Sequence, residues 1–218
     1  PGCLGPGVVK LAENLNGAIT GMTEEQAKAE GISVVSALCV TDDKAHYYPD
    51  SGIFVTKLVA DAESHRLLGM QVIGAGAVDK MADIAVTGIS MGCPAEDFLT
   101  MDFAYPPPFS TATQSRAGSQ GSRKATLLSL PGASRLKLEP PFSTAIHPFA
   151  AACGVLVNKL TGRLESFTPA EYAAGAAGGY RLVDVHPAPS ISGAEWLDLT
   201  KPEQALARFQ KDEKLLLV

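Results

Sequence analysis

Ile53-Phe54-Val55-Thr56-Lys57-Leu58-Val59-Ala60, then Asp61-Ala62-Glu63-Ser64-His65, then Leu67-Leu68-Gly69-Met70-Gln71-Val72-Ile73, is the stretch whose reading decides the fold. The two outer runs are rich in apolar and β-branched residues, and the mostly polar segment between them has the length and chemistry of a hairpin connection. They are therefore predicted as paired strands. Directly afterwards, Val78, Met81, Ala82, Ala85, Val86 and Ile89 recur at helical spacing, which predicts a helix over Val78–Met91. Gly92 stands where such a helix ends, with Pro94 just beyond it. Working upstream, Val34–Val40 reads as a further strand. Before it, Thr23 and Gln26 form a capping box for a helix over Thr23–Glu30, with Gly31 at its far end; this helix is the first element the pattern predicts. Residues 34–91 thus read as a strand, a hairpin and a helix laid over one sheet face, which is an α+β layer.

Working downstream, the segment Pro-Pro-Phe-Ser-Thr-Ala occurs at 107–112 and again at 140–145, a period of 33 residues. Between the copies the chain is rich in Ser, Gly, Arg and Lys, with Glu139 its only acidic residue. Two copies do not make a solenoid, so 113–145 reads as an inserted or duplicated loop, with a basic docking arm as the functional alternative. Residues 146–164 read as a connecting helix, apolar at helical spacing over Pro148–Leu160. Thr168-Pro169-Ala170-Glu171 is a second capping box with proline at the first helical position. Arg181–Val185, Trp196–Leu199 and Lys214–Val218 are strand candidates, with one more helix from Thr200 to about Gln210. That alternation predicts a small parallel α/β unit over 165–218, and a unit that stops on a bare core strand is expected to be incomplete. Residues 1–112 are the expected first domain.

Composition narrows the function classes. The 218 residues are 46% hydrophobic, enough for a sizeable core, and carry 18 basic against 23 acidic side chains for a net charge of −5. That balance argues against a nucleic-acid partner, which needs a basic face. The longest apolar run, Phe149–Val157, has nine residues, far short of the roughly 20 that span a bilayer, and no charged leader with an apolar stretch opens the chain. The expectation is a cytoplasmic protein with no membrane partner. Cys3, Cys39, Cys93 and Cys153 are scattered without metal-binding spacing, so they read as free thiols and no metal is expected. The chain opens on Pro1-Gly2, as a processed protein or a piece of a longer one would.

Few residues are candidates for chemistry. Gly74-Ala75-Gly76-Ala77-Val78-Asp79 imitates the start of a dinucleotide fingerprint but lacks the third glycine, so it reads as a turn allowing close strand–helix packing. Tyr47, Tyr48 and Tyr105 stand beside prolines in loops, where a phenol can present its hydroxyl to a ligand. His147, before Pro148, has the imidazole an acid–base residue needs, although a lone histidine is expected to be exposed. His65 in the hairpin turn and His186 at a strand end are expected to be solvated.

Several of these pieces together resemble a known family. Ala45-His46-Tyr47-Tyr48-Pro49, Val55–Val59, Leu67–Gly74, Val78–Ile84 and Asp102-Phe103-Ala104-Tyr105-Pro106-Pro107 look like the C-terminal dimerisation domain of FAD-dependent pyridine nucleotide–disulfide oxidoreductases, in the NADH oxidase and coenzyme A-disulfide reductase branch. Thr20–Ala27 resembles the stretch leading into that domain, which makes 1–20 the end of a flavin domain. Tyr180–Val185 and Gly193-Ala194 are similar to a rhodanese-like domain, with His186 where that family has arginine; its persulfide-carrying cysteine would fall beyond Val218.

The resemblance implies a homodimer and, in a full-length parent, FAD, NAD(P)H and a substrate such as coenzyme A or a small thiol or disulfide, or oxygen as acceptor. It implies that Tyr105 and one of Tyr47 or Tyr48 support the reaction from across the dimer. The family's two nucleotide fingerprints and redox cysteine have no counterpart in these 218 residues, so this chain alone is expected to bind no cofactor and to be inactive. The Glu that accompanies the catalytic His-Pro pair of related reductases is missing after His147-Pro148, and the acid–base role is not carried over. A freestanding, non-catalytic dimerisation or binding protein is the alternative.

Overall fold

The computed structural model describes residues 4–44, 51–103, 147–200, 208–210 and 212–218. The chain forms two compact units, Pro1–Ser166 and Phe167–Val218.

The first unit is a five-stranded antiparallel sheet with helices on one face. Its strands are β1 (Gly7–Ala12), β2 (Leu15–Gly21), β3 (Val34–Asp42), β4 (Ile53–Asp61) and β5 (Leu67–Gly74), in the order β1-β2-β5-β4-β3. The hairpin expected from 53–73 is present: β4 and β5 pair antiparallel, Val55 opposite Ile73 and Lys57 opposite Gln71. Its turn is built by Asp61, whose carboxylate accepts from the backbone N–H groups of Glu63 and Ser64 at 3.0 and 2.6 Å. Helix α1 (Glu24–Ala29) sits between β2 and β3, with the Thr23–Gln26 capping box fully formed. Helix α2 (Val78–Met91) has the predicted bounds and ends on Gly92 at φ 64°, a left-handed cap that glycine adopts without strain. A 3-10 turn at Asp97–Leu99 follows. Helix α3 (Pro148–Leu160) also matches its expected range.

Alternation decides which face is covered. Phe54, Leu58, Met70 and Val72 point to one side, where α2 lies along β2 and β5 and α3 along β3 and β4. With Met81, Ala85, Phe98, Phe149 and Leu156 they form one buried cluster. Phe98 and Phe149 meet edge to face at 5.0 Å, an arrangement favoured by the ring quadrupoles. The opposite face keeps Val9, Val40, Ile53 and Ile73 exposed.

The pattern missed β1 and β2, so the helix at 23–30 is not the first element. Asn16, Gly17 and Gly21 have low strand propensity, and the strand is held instead by pairing along its length with β5. At that pairing a Cβ on Gly21 would lie 2.2 Å from the Leu68 carbonyl oxygen, so a glycine that weakens the β2 signal is what lets the backbones approach.

The second unit holds α4 (Pro169–Ala173), β6 (Arg181–Asp184), β7 (Glu195–Trp196) and β8 (Leu215–Leu217), in a parallel sheet ordered β7-β6-β8. The parallel α/β reading holds, although the strand expected over Trp196–Leu199 is shorter and starts one residue earlier. The Thr168–Glu171 capping box is formed. The helix expected between Thr200 and Gln210 falls mostly on 201–207, outside the described residues. Among those described, no helix is long and apolar enough to cross a membrane.

Candidate functional site

The three phenols singled out by sequence, Tyr47, Tyr48 and Tyr105, lie outside the described residues, as does the 113–145 segment. The residues that flank them are among those described.

The segment carrying Tyr47 and Tyr48 leaves the sheet after β3 and returns into β4. Its two ends are tied together by Asp43 and Gly52: the Asp43 N–H donates to the Gly52 carbonyl at 2.9 Å, and the Gly52 N–H donates to Asp43 Oδ1 at 2.7 Å. Asp43 is only 3% exposed. Its second carboxylate oxygen lies beside Gly76, where a Cβ would come within 2.8 Å of Oδ2. At Gly74 a Cβ would lie 2.4 Å from the Phe54 ring. The Gly74–Gly76 turn is therefore filled by a phenyl ring and a carboxylate. An acidic group is the wrong partner for a pyrophosphate, which settles this turn as strand–helix packing.

The segment carrying Tyr105 begins after Phe103, and the chain is described again from His147. These two rings face each other at 5.1 Å, tilted by 34°. His147 is the N-cap of α3: its Nδ1 accepts the Phe149 N–H at 3.2 Å, and Pro148 follows at the first helical position. The expectation of an exposed histidine is wrong here. His147 is 4% exposed because the start of α3 packs into the core. Burial, with the charge of Lys80 adding to it, lowers its pKa to about 4. It is neutral near pH 7 with Nδ1 committed to the helix cap, which suits a structural role and not proton transfer.

Gly76 immediately precedes the N-cap of α2, and Lys80 lies in that helix's first turn. The N-terminal end of α2 is thus adjacent to Asp43, the residue that ties the ends of the Tyr47–Tyr48 segment. Sequence reasoning did not single out Asp43 or Lys80. An Asp after a strand and a Lys in a helix's first turn are ordinary residues until the fold buries one and sets the other near a histidine.

The other two described histidines, His65 and His186, are also engaged. His65, expected in solvent, is half-buried with Nδ1 2.5 Å from Glu96 Oε1. It sits at φ 59°, a left-handed conformation uncommon for a non-glycine residue. His186 is half-exposed and contacts Asp184 at 2.7 Å. Asp184 is the hub of the second unit, accepting backbone N–H groups from Ser190, Ile191 and His186 at 2.6, 2.9 and 3.0 Å. Led by the Ser190 backbone bond, these contacts hold its carboxyl far below the usual range. Cys39, Cys93 and Cys153 are free. Burial pushes the Cys39 and Cys153 thiols up, so neither is a poised nucleophile. Among the described residues no cluster of His, Cys, Asp or Glu could hold a metal ion.

The fold and these groups define an α+β domain with helices on one sheet face, whose described titratable residues fix loops and helix ends. Residues 13–117 match the family described as the pyridine nucleotide-disulphide oxidoreductase dimerisation domain, and the first unit is similar to that domain in fold. A Pyrococcus furiosus protein named NAD(P)H sulfur oxidoreductase (CoA-dependent) is 38% identical over 109 residues, which are 50% of this chain and 24% of that protein. The solved NAD-dependent persulfide reductase from A. fulgidus superposes with a TM-score of 0.73 at 22% identity, over 100% of this chain and 34% of that one. The reduced Bacillus anthracis protein solved as CoADR-RHD gives 0.75 at 21% identity, over 99% of this chain and 33% of its own. At those identities the structural likeness speaks for the fold alone. The chain spans about a quarter of the length of the curated relatives it matches.

Proposed function

We propose that these residues are the dimerisation portion of an NAD(P)H-dependent flavin oxidoreductase acting on a coenzyme A disulfide or persulfide. The observation that carries this reading is the 38% identity, over 109 residues, to a protein named for CoA-dependent NAD(P)H sulfur reduction. The match to a dimerisation domain supports a homodimer as the working assembly.

FAD and NAD(P)H would be held by other parts of such an enzyme. These 218 residues contain no Gly-x-Gly-x-x-Gly, and the nearest approximation is filled by Phe54 and Asp43. This chain's share is positional. Tyr105 and one of Tyr47 or Tyr48 would present phenol hydroxyls to the partner's thiol site and stabilise a cysteine or coenzyme A thiolate. A hydrogen bond to a charged acceptor contributes about 1.5–3 kcal/mol. The 5.1 Å approach of Phe103 to His147 supports reading 113–145 as an insertion, because a shorter chain closes the same gap. The parallel sheet of residues 167–218, with Asp184 buried at the end of β6, supports a rhodanese-like unit.

The test is Tyr105→Phe in the protein expressed from the complete reading frame, which keeps the ring and removes only the hydroxyl. NADH-dependent turnover of coenzyme A disulfide is expected to fall at unchanged thermal stability. Unchanged turnover would leave Tyr105 as packing.

A further inference from the structure

We infer that His186, oriented by Asp184, is a catalytic base that takes the proton from a substrate thiol at the carboxyl end of the second unit's parallel sheet. The choice of a thiol rests on the proposed function; the placing of the imidazole does not.

In the order β7-β6-β8 the chain leaves β6 for one neighbour and later returns on its other side. The crevice beyond the carboxyl end of such a strand is where α/β sheets bind ligands. Strand β6 ends at Asp184, and both neighbours flank that end. The Leu197 N–H donates to the Asp184 carbonyl at 2.8 Å, and the Val185 N–H donates to the Val218 carbonyl at 2.9 Å. His186 follows, with its backbone held on both sides. Its N–H donates to Asp184 Oδ1 at 3.0 Å, and the Trp196 indole N–H donates to its carbonyl at 2.9 Å. The same carboxylate places the ring, with Nδ1 2.7 Å from Oδ1.

Asp184 is 1% exposed, and its other oxygen accepts the Ser190 and Ile191 N–H groups at 2.6 and 2.9 Å. Led by the Ser190 bond, these contacts keep the carboxyl ionised. An ionised carboxylate only accepts, so Nδ1 carries the hydrogen. In the neutral ring the lone pair is then on Nε2, on a side chain 51% exposed. A carboxylate that fixes the tautomer of an imidazole in this way prepares it as a base. When a thiol reaches Nε2, its S–H bond breaks, an N–H bond forms, and the electron pair stays on sulfur as a thiolate. Free thiols ionise near about 8.5, close enough to neutrality for an imidazole to drive that transfer.

The experiment uses the protein from the complete reading frame, without NAD(P)H, with coenzyme A as the thiol and a chromogenic aromatic disulfide as its acceptor. The coenzyme A thiolate attacks the disulfide, forming a mixed disulfide and releasing one coloured thiolate. Once the protein's own cysteines have reacted, steady release above the protein-free rate reads the base. His186→Gln is expected to lower that release about 100-fold, the low end of what a placed acid–base group supplies, at unchanged Tm. In Asp184→Asn the amide oxygen stays with Ser190 and Ile191 and its NH2 group faces Nδ1, so a similar loss is expected, with the ring's hydrogen moved to Nε2. Histidine-selective nitrogen NMR of the wild-type protein reads the tautomer directly and serves where Asp184→Asn fails to fold. The signals missing from His186→Gln are expected to show a protonated Nδ1 and a bare Nε2. No release above the protein-free rate, release unchanged in His186→Gln, or a hydrogen on Nε2 in the wild-type protein would each overturn the inference. Because NAD(P)H is left out, these failures are distinct from failure of the proposed function, which shows as absent NAD(P)H turnover.

Discussion

Substituting Gly88, in the interior of α2, tests the packing of the first unit. On propensity alone Gly88→Ala should stabilise, since glycine costs a helix interior about 1 kcal/mol relative to alanine. The surroundings oppose it. A Cβ at Gly88 would stand 2.1 Å from the Phe98 ζ carbon and 2.9 Å from an ε carbon, where carbon atoms normally rest about 3.5–4.0 Å apart. The ring must retreat by well over 1 Å, yet Phe98 is 1% exposed and lies edge-on to Phe149, itself fully buried, at 5.0 Å. Overpacking of this kind costs about 1–3 kcal/mol, and with no free direction for the ring the upper half of that range applies. Subtracting the helix gain leaves a net loss of about 1–2 kcal/mol. The assay is urea unfolding followed by far-UV circular dichroism, because the single tryptophan, Trp196, lies in the other unit and reports on that one. The midpoint should fall at unchanged slope. In a Phe98→Leu background the same substitution should become neutral or stabilising. A Gly88→Ala protein that gains stability with Phe98 in place would refute the packing argument.

Glu24 on α1 gives a pH signature. Partial burial raises its pKa, but bonds from Lys28, Lys57 and Ser36 prevail and bring it from 4.5 to about 2. The stabilisation is therefore complete above about pH 5 and is lost as pH falls toward 2. Because the pairs are partly solvated it amounts to about 1 kcal/mol, and Glu24→Gln should flatten the acid limb of a pH–stability curve by that amount. The 218-residue protein should sediment as a dimer, since obligate interfaces bury roughly 2,000 Å² or more; a monomer at high micromolar concentration would count against a self-sufficient dimerisation surface. The same protein should be colourless and inert toward NADH, and stoichiometric flavin in its absorption spectrum would show that the nucleotide site had been misjudged.

Much of the first unit was legible in the sequence because its signals are local. The capping box at Thr23, the 3.6-residue spacing of α2 with Gly92 behind it, and the Asp61 turn between β-rich runs each sit within one element. What was not legible depends on partners distant in sequence. The β1–β2 hairpin reads as a glycine-rich leader until β5 lies beside it, and Gly21 is there for the close approach to the Leu68 carbonyl. His147 resembles an exposed imidazole until α3 folds onto the sheet and puts Nδ1 to work as a cap. Asp43 is invisible for the same reason, since its burial comes from the meeting of β3, β4 and the start of α2. In the second unit Arg181–Asp184 and the Thr168 cap were readable, whereas the two-residue β7 owes its pairing to β6 and not to its own composition.

The most direct test of the central claim is NAD(P)H oxidation by the protein purified from the complete reading frame, with coenzyme A disulfide as acceptor. The account predicts a yellow, dimeric flavoprotein whose oxidation of NAD(P)H releases two coenzyme A thiols for each nicotinamide consumed. A colourless protein with no acceptor-dependent turnover would contradict it.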